Sequence, residues 1–189
     1  TFDAAAARLH ITPSAVSQRI KALESAVGRI LLRRTKPVTP TADGETLVRL
    51  AEHPRIVAVK DAKGDFGAMA WTRARSDLAF YSGEDMLNLP ILAMGGVGVV
   101  SVVGHLVGPR LAELIAAVEA GDLARARAVN DSLLPVYTGI FRTQGAILVK
   151  AALNALGLPA GPLRPPLVEA TDDQLAQLRI DLADGGVKL

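Results

Sequence analysis

The segment His53-Pro-Arg-Ile-Val-Ala-Val-Lys-Asp-Ala-Lys-Gly-Asp65 decides how this chain is read. Ile56–Val59 is a short run of β-favouring residues that ends on a lysine and breaks at Gly64. Period-two alternation puts Ile56, Ala58 and Lys60 on one face of the strand. The Lys60 amine is therefore expected to project from an apolar wall at the strand's C-terminal end, where sites gather in parallel α/β sheets. An amine stripped of water there becomes a nucleophile able to form a Schiff base with a ketone. The plainer alternative is a lysine snorkelling at a strand end, or paired with Asp61 or Asp85.

Outward from this segment, short apolar runs alternate with helical stretches. Leu78–Tyr81 reads as a second strand and the Val-rich run Val97–Val103 as a third. Helices are expected over Phe66–Arg75, Glu84–Met94, Pro109–Ala120, Asp122–Ile140, Gly145–Leu156 and Asp172–Asp184. Gly121-Asp122 supplies a helix stop followed by an N-cap. Pro-rich Leu158–Pro166 sets off the last helix. Strands of four to seven residues between helices predict βαβ units and a parallel sheet. Their uniformly apolar character predicts strands covered on both faces.

Composition sets outer limits. The chain has 189 residues, 50% hydrophobic and 21% charged, which excludes general disorder. It has no cysteine, so disulfides, thiolate metal sites and cysteine nucleophiles are excluded. Its three histidines, His10, His53 and His105, show no metal-ligand spacing. Met86–Pro109 lacks any Asp, Glu, Lys or Arg and is long enough to span a bilayer. Pro90 and five glycines interrupt it, so no membrane span is expected. With no charged-then-apolar leader at the start, the expected location is cytoplasmic.

The net charge of +2 conceals an asymmetry. Residues 1–36 carry seven basic side chains against Asp3 and Glu24, whereas residues 54–189 are near neutral. A basic head on a neutral body points to a polyanionic partner for the head; a solvated basic face is the alternative. Thr12-Pro13 makes a good helix start. In the helix expected from Pro13 to about Val27, Val16, Ile20, Leu23 and Val27 form an apolar stripe. Ser14, Ser17, Gln18 and Lys21 share another face, suited to base edges and phosphates in a major groove. On pattern alone an ordinary amphipathic hairpin is the commoner object.

Two resemblances sharpen these readings. Phe2-Asp-Ala-Ala-Ala-Ala-Arg-Leu-His-Ile-Thr-Pro-Ser-Ala-Val-Ser-Gln-Arg-Ile-Lys-Ala-Leu-Glu24 resembles the DNA-binding region of LysR-type transcriptional regulators. Gly28-Arg-Ile-Leu-Leu-Arg-Arg34 is similar to that family's wing, and Val38-Thr-Pro-Thr-Ala-Asp-Gly44 to the turn into its linker helix. The resemblance implies a small all-α winged helix-turn-helix segment over about residues 1–50. In it Ser14, Ser17, Gln18 and Lys21 face double-stranded DNA, and Arg33 and Arg34 hold phosphates. The family's first helix should precede Thr1, so the segment is expected to be truncated.

From His53 onward the chain is similar to the dihydrodipicolinate synthase branch of the pyruvate-dependent aldolases, a family that includes N-acetylneuraminate lyase. The similarity runs through the lysine segment, Tyr81-Ser-Gly-Glu-Asp85, Gly95-Gly-Val-Gly-Val-Val-Ser-Val102 and Gly121-Asp-Leu-Ala-Arg-Ala-Arg-Ala-Val-Asn130. It continues through Leu148-Val-Lys-Ala-Ala-Leu-Asn-Ala-Leu-Gly-Leu158 and Arg164-Pro-Pro-Leu167. For residues 51–189 it implies an α/β fold, the last three βα units of a (β/α)8 TIM barrel plus C-terminal helices. Lys60 would form the imine with pyruvate, Gly83 and Val100 would line the pyruvate pocket, and aspartate semialdehyde would be the second substrate. No cofactor and no metal are implied, and a homo-oligomer is a further partner.

The family's threonine-glycine loop, relay tyrosine and substrate arginine would lie in five units this resemblance does not cover. The expected activity of the chain alone is therefore low. The two resemblances meet at Glu45-Thr-Leu-Val-Arg-Leu-Ala-Glu-His53, which suits both parents and contains no flexible linker. Three functions follow: a Schiff-base lyase unit, a DNA-binding regulator module, or a fused fragment without function.

Overall fold

The computed structural model describes Thr12 and residues 42–189. The chain divides into units Thr1–Thr41 and Ala42–Leu189, and the second is the one described below. The expected groove- and phosphate-facing residues Ser14, Ser17, Gln18, Lys21, Arg33 and Arg34 lie outside the described residues.

Numbered from Ala42, the helices are α1 (Ala42–Ala51), α2 (Phe66–Arg73), α3 (Asn88–Ala93), α4 (Gly104–Glu119), α5 (Leu123–Ile140), α6 (Gly145–Ala155) and α7 (Asp172–Asp184). The strands are β1 (Ala58–Asp61), β2 (Ala79–Ser82) and β3 (Gly98–Val99). All pair parallel in the order β1-β2-β3, with Val59 opposite Phe80, Lys60 opposite Tyr81, and Tyr81 opposite Gly98. The fold is α/β with a parallel sheet, as expected. Glu84–Met94 resolves into a 3-10 turn (Asp85–Leu87) and the short helix α3.

Local chemistry sets the helix ends. Asp65 caps α2 by accepting from the Ala68 amide at 2.9 Å, and Asp122 caps α5 by accepting from the Arg125 amide at 2.9 Å. Gly121, at φ +73°, makes the left-handed stop before that cap. Thr171 and Gln174 form a reciprocal capping box on α7. α4 starts five residues before Pro109 and accommodates it by a break at Val107 (φ −127°, ψ 26°).

Two apolar cores hold the unit together. Met69, Leu78, Phe80 and Ile91 seal α2 and α3 against one face of the sheet, with Ile56 and Val59 packed beside them. Leu111, Leu114, Leu133, Val136, Ile140, Leu148, Leu178 and Leu182 join α4 to α7. Each such buried side chain contributes about 1.5–3 kcal/mol relative to exposure.

Two expectations are corrected. The strands are covered on one face only: Ala58 and Lys60 of β1 are exposed while Val59 turns to the core. Apolar residues on the open face satisfy the composition of a doubly covered strand, but no described element lies over them. The third strand is also far shorter than Val97–Val103. Beyond Val100 the backbone leaves the sheet because the Val102 and Val103 amides donate to the Asp85 carboxylate, at 3.1 and 3.2 Å. A buried carboxylate overrides the β-propensity of a valine run.

Candidate active site

The parallel sheet brings its three C-terminal strand ends together, and with them Lys60, Gly83 and Val100. Lys60 sits in register with Tyr81 on the open face. Gly83 follows β2 directly, and its amide donates to the Asp61 carbonyl at 2.8 Å. The Val100 amide donates to the Ser82 carbonyl at 2.7 Å, which carries the β2–β3 pairing one step beyond β3. The three residues that sequence reasoning singled out thus share one end of one sheet.

Two glycines make room there. A Cβ at Gly83 would lie 2.3 Å from Lys60 Cε and 2.7 Å from its Cγ, so the lysine stem runs across the glycine. At Gly98 a Cβ would lie 2.9 Å from the Tyr81 ring. Only residues without side chains allow the lysine and the tyrosine to lie flat over the strand ends.

The expected apolar wall around Lys60 is absent. The residue is exposed, because the face it shares with Ala58 is the uncovered one. It is not paired with Asp61 or Asp85 either. Asp61 Oδ1 accepts from the Lys63 and Gly64 amides at 2.8 and 3.2 Å, forming the turn out of β1. Asp85 is 2% exposed and is occupied elsewhere.

Asp85 enters the sequence reading only as a possible partner of Lys60, and the structure gives it another role. Its Oδ1 accepts from Ser101 Oγ and, at 3.2 Å, from Asn88 Nδ2, while Oδ2 takes the Val102 and Val103 amides. Ser101 Oγ in turn accepts from the Gly104 amide at 2.9 Å. One carboxylate thereby fixes the segment that leaves Val100 and enters α4. Asp85 closes the segment Tyr81-Ser-Gly-Glu-Asp85, but an acid facing a distant valine run is not visible in local pattern. A separate cleft of 390 Å³ lies at the opposite end of the sheet, lined by His53, Ile56, Arg75, Asp77 and Leu78 among others. Lys60 takes no part in it.

Among the described residues no helix is long and apolar enough to cross a membrane, in keeping with the interrupted reading of Met86–Pro109.

Residues 40–184 match the Dihydrodipicolinate synthetase family, and residues 1–45 match the Bacterial regulatory helix-turn-helix protein, lysR family. The chain is 62% identical over 145 residues to 4-hydroxy-tetrahydrodipicolinate synthase 2 of Streptomyces coelicolor, covering 77% of this chain and 48% of that one. It is 61% identical over 142 residues to the 4-hydroxy-tetrahydrodipicolinate synthase of Acidothermus cellulolyticus, covering 75% and 46%. Among solved structures, the chloride-inhibited dihydrodipicolinate synthase of Acinetobacter baumannii, complexed with pyruvate, superposes with a TM-score of 0.71. It is 31% identical, and the match covers 76% of this chain and 50% of that one. The chain spans about half the length of the curated relatives it matches.

Proposed function

The chain belongs to the dihydrodipicolinate synthetase family over residues 40–184, and on that premise we propose that Lys60 is the amine of a Schiff-base half-site for pyruvate. The observation that carries the reading is the lysine stem laid across Gly83 at the C-terminal end of a parallel sheet. In this reading the unit is the last three βα units of a (β/α)8 barrel plus C-terminal helices. The unprotonated amine adds to the pyruvate ketone and water leaves, giving an imine. Loss of a methyl proton gives the enamine, whose carbon attacks the aldehyde of aspartate semialdehyde. Gly83 and Val100 line the pyruvate pocket.

Turnover by this chain alone is slow in the same reading. The open face leaves Lys60 hydrated, and the relay residues implied by the resemblance belong to other units. Losing a positioned proton donor costs about two to four orders of magnitude in rate. Borohydride reduction in the presence of pyruvate is the test. A mass increase that Lys60→Ala abolishes is expected; no adduct at millimolar pyruvate, or one that persists in Lys60→Ala, overturns the proposal.

The match of residues 1–45 to the lysR helix-turn-helix family favours a second reading, a DNA-binding head. Ser14, Ser17, Gln18 and Lys21 face the groove, and Arg33 and Arg34 hold phosphates. The head spans residues 1–50 and the synthase-like part 51–189. The two family matches overlap at residues 40–45, and α1 begins within that overlap, at Ala42. Binding that weakens steeply with salt and with Arg34→Ala, but not with Lys60→Ala, is expected. Retention on DNA that ignores salt would rule it out.

A further inference from the structure

We infer that Asp85 is a positioning residue of the pyruvate half-site. It touches no substrate, and through Ser101, Val102 and Val103 it holds Val100 at the strand ends that carry Lys60 and Gly83. The inference rests on the Schiff-base reading of Lys60 and adds a residue to it.

Asp85 has no free oxygen to offer a substrate. It is 2% exposed, and both oxygens are taken: Oδ1 accepts from Ser101 Oγ and Asn88 Nδ2, and Oδ2 from the Val102 and Val103 amides. All four donors are neutral, and among the described residues no cation pairs with this carboxylate. A buried charge carried by neutral donors is costly as soon as one of them moves away. Displacing the Ser101–Val103 backbone would strand that charge, so the network resists displacement.

The clamp joins two connections, and those two carry the pocket residues. Gly83 lies two residues before Asp85, on the turn out of β2, and Val100 one residue before Ser101, on the way from β3 to α4. Fully buried Ser82 bonds in both directions: its carbonyl accepts from the Val100 amide at 2.7 Å, and its hydroxyl donates to the Glu84 carbonyl at 2.9 Å. The segments 82–85 and 100–103 are thus laced at both ends, by the Ser82–Val100 bond on the sheet side and by Asp85 on the helix side. Ser101 Oγ also accepts from the Gly104 amide at 2.9 Å, which ties the clamp to the first residue of α4.

Packing alone does not place Val100. Val99 and Val102 pack against the helical core and Val103 is buried in it, whereas Val100 is 50% exposed and belongs to neither apolar core. Its side chain is aimed by the backbone, held by Ser82 at its own amide and by the clamp just beyond it. Releasing the clamp frees a segment with little else to order it. Lys60 stands outside this network: its stem crosses Gly83 and the residue is exposed. Asp85 therefore governs the pocket and leaves the reactivity of the amine alone.

The test compares variants of the full 189-residue chain by the pyruvate concentration that gives half-maximal borohydride-trapped adduct. Ser101→Ala keeps the carboxylate and its three other donors, so the variant should fold, and that concentration should rise about tenfold. Ser101→Thr restores the hydroxyl and should return it close to the parent value, while Asp85→Asn should raise it further. Reductive methylation of Lys60 by formaldehyde and borohydride needs the amine but no pocket, and should keep the parent rate in every variant. Amide exchange at Val100 should quicken in Ser101→Ala. Ile147→Val trims one methylene group from the helical core and should lower stability without moving the pyruvate dependence. The inference is overturned by a half-saturating concentration that stays put in Ser101→Ala, or by one that Ile147→Val moves as far. It is equally overturned by parent-like exchange at Val100, or by Lys60 methylation that falls in step with the pyruvate adduct. A parent chain that forms no pyruvate adduct sinks the Schiff-base reading and this inference with it; adduct in the parent with unmoved variants sinks this inference alone.

Discussion

Lys60 and Gly83 claim the same space: a Cβ on the glycine would fall 2.3 Å from the lysine Cε. The contact joins the ends of β1 and β2 at the point where the amine leaves the sheet. Gly83→Ala should therefore swing the stem away from the strand ends. Lys60 is exposed and flexible, so little strain should remain, and unfolding stability should change by less than about 1 kcal/mol. Borohydride-trapped pyruvate adduct should form up to about a hundredfold more slowly, the scale expected when a reacting group is misplaced by an ångström or so. The rate of adduct formation and a urea melt on the same sample check both halves of this expectation.

Asp85 should be the most sensitive polar position in the unit. It is buried and takes four hydrogen bonds, from Ser101, Asn88, Val102 and Val103. In Asp85→Asn one oxygen becomes an N–H2 group facing amide donors that cannot accept from it. A loss of about 2–4 kcal/mol follows from unsatisfied buried donors and the lost charge-assisted bonds. Urea denaturation measures it, and amide exchange at Val102 and Val103 should rise first. Ser101→Ala removes one donor only and should cost about 1 kcal/mol.

These two residues mark how far the sequence could be read. Helix α7 was legible to the residue, set off by the Pro-rich stretch Leu158–Pro166, and the Thr171–Gln174 capping box fixes its start. Lys60, Gly83 and Val100 were grouped through the family resemblance, and the structure sets all three near one end of the sheet. The length of β3 was not legible, because the acceptor that draws Val102 and Val103 out of the sheet lies far back in the chain, at Asp85. Nor was the exposure of Lys60. An apolar strand face reads the same whether or not a neighbour covers it, and here no described element does.

Asp181 and Arg142 should give the helical core a dependence on acid. Arg142 donates through Nε and Nη2 to the two Asp181 oxygens, and Gln177 Nε2 donates at 3.1 Å. The hydrogen bonds from Arg142, with a smaller contribution from Gln177, hold the Asp181 carboxyl below the usual carboxylate range against the opposing effect of burial. A carboxyl that binds its proton less tightly folded than unfolded stabilises the fold above the unfolded pKa of about 4. That stabilisation is lost as pH falls through the lower, folded value. Arg142→Gln should flatten this acid limb while changing little at its foot. Chemical melts at a series of acidic pH values compare the two proteins.

Tyr137 should govern the alkaline limb. It is a fully buried residue of α5, with a hydroxyl that lies near Asn88 but meets no partner in hydrogen-bond geometry among the described residues. Burial pushes its pKa up to about 12, with Asn88 and Arg110 pulling against burial and the nearby Asp85 charge adding to it. Here the folded state holds the proton more tightly than the unfolded one. The resulting stabilisation is intact below pH 10.0, the ordinary tyrosine value, and disappears as pH rises toward about 12. Unfolding should therefore become easier across that window, and the tyrosinate absorbance of Tyr137 should appear together with loss of helix. A Tyr81→Phe background isolates the signal, since Tyr81 and Tyr137 are the two tyrosines of the chain. Tyr137→Phe keeps the packing ring and deletes an unsatisfied hydroxyl, so at neutral pH it should be neutral or stabilising by up to about 1 kcal/mol. A Tyr137→Phe protein that unfolds across the alkaline window as the parent does would show that another group controls that limb.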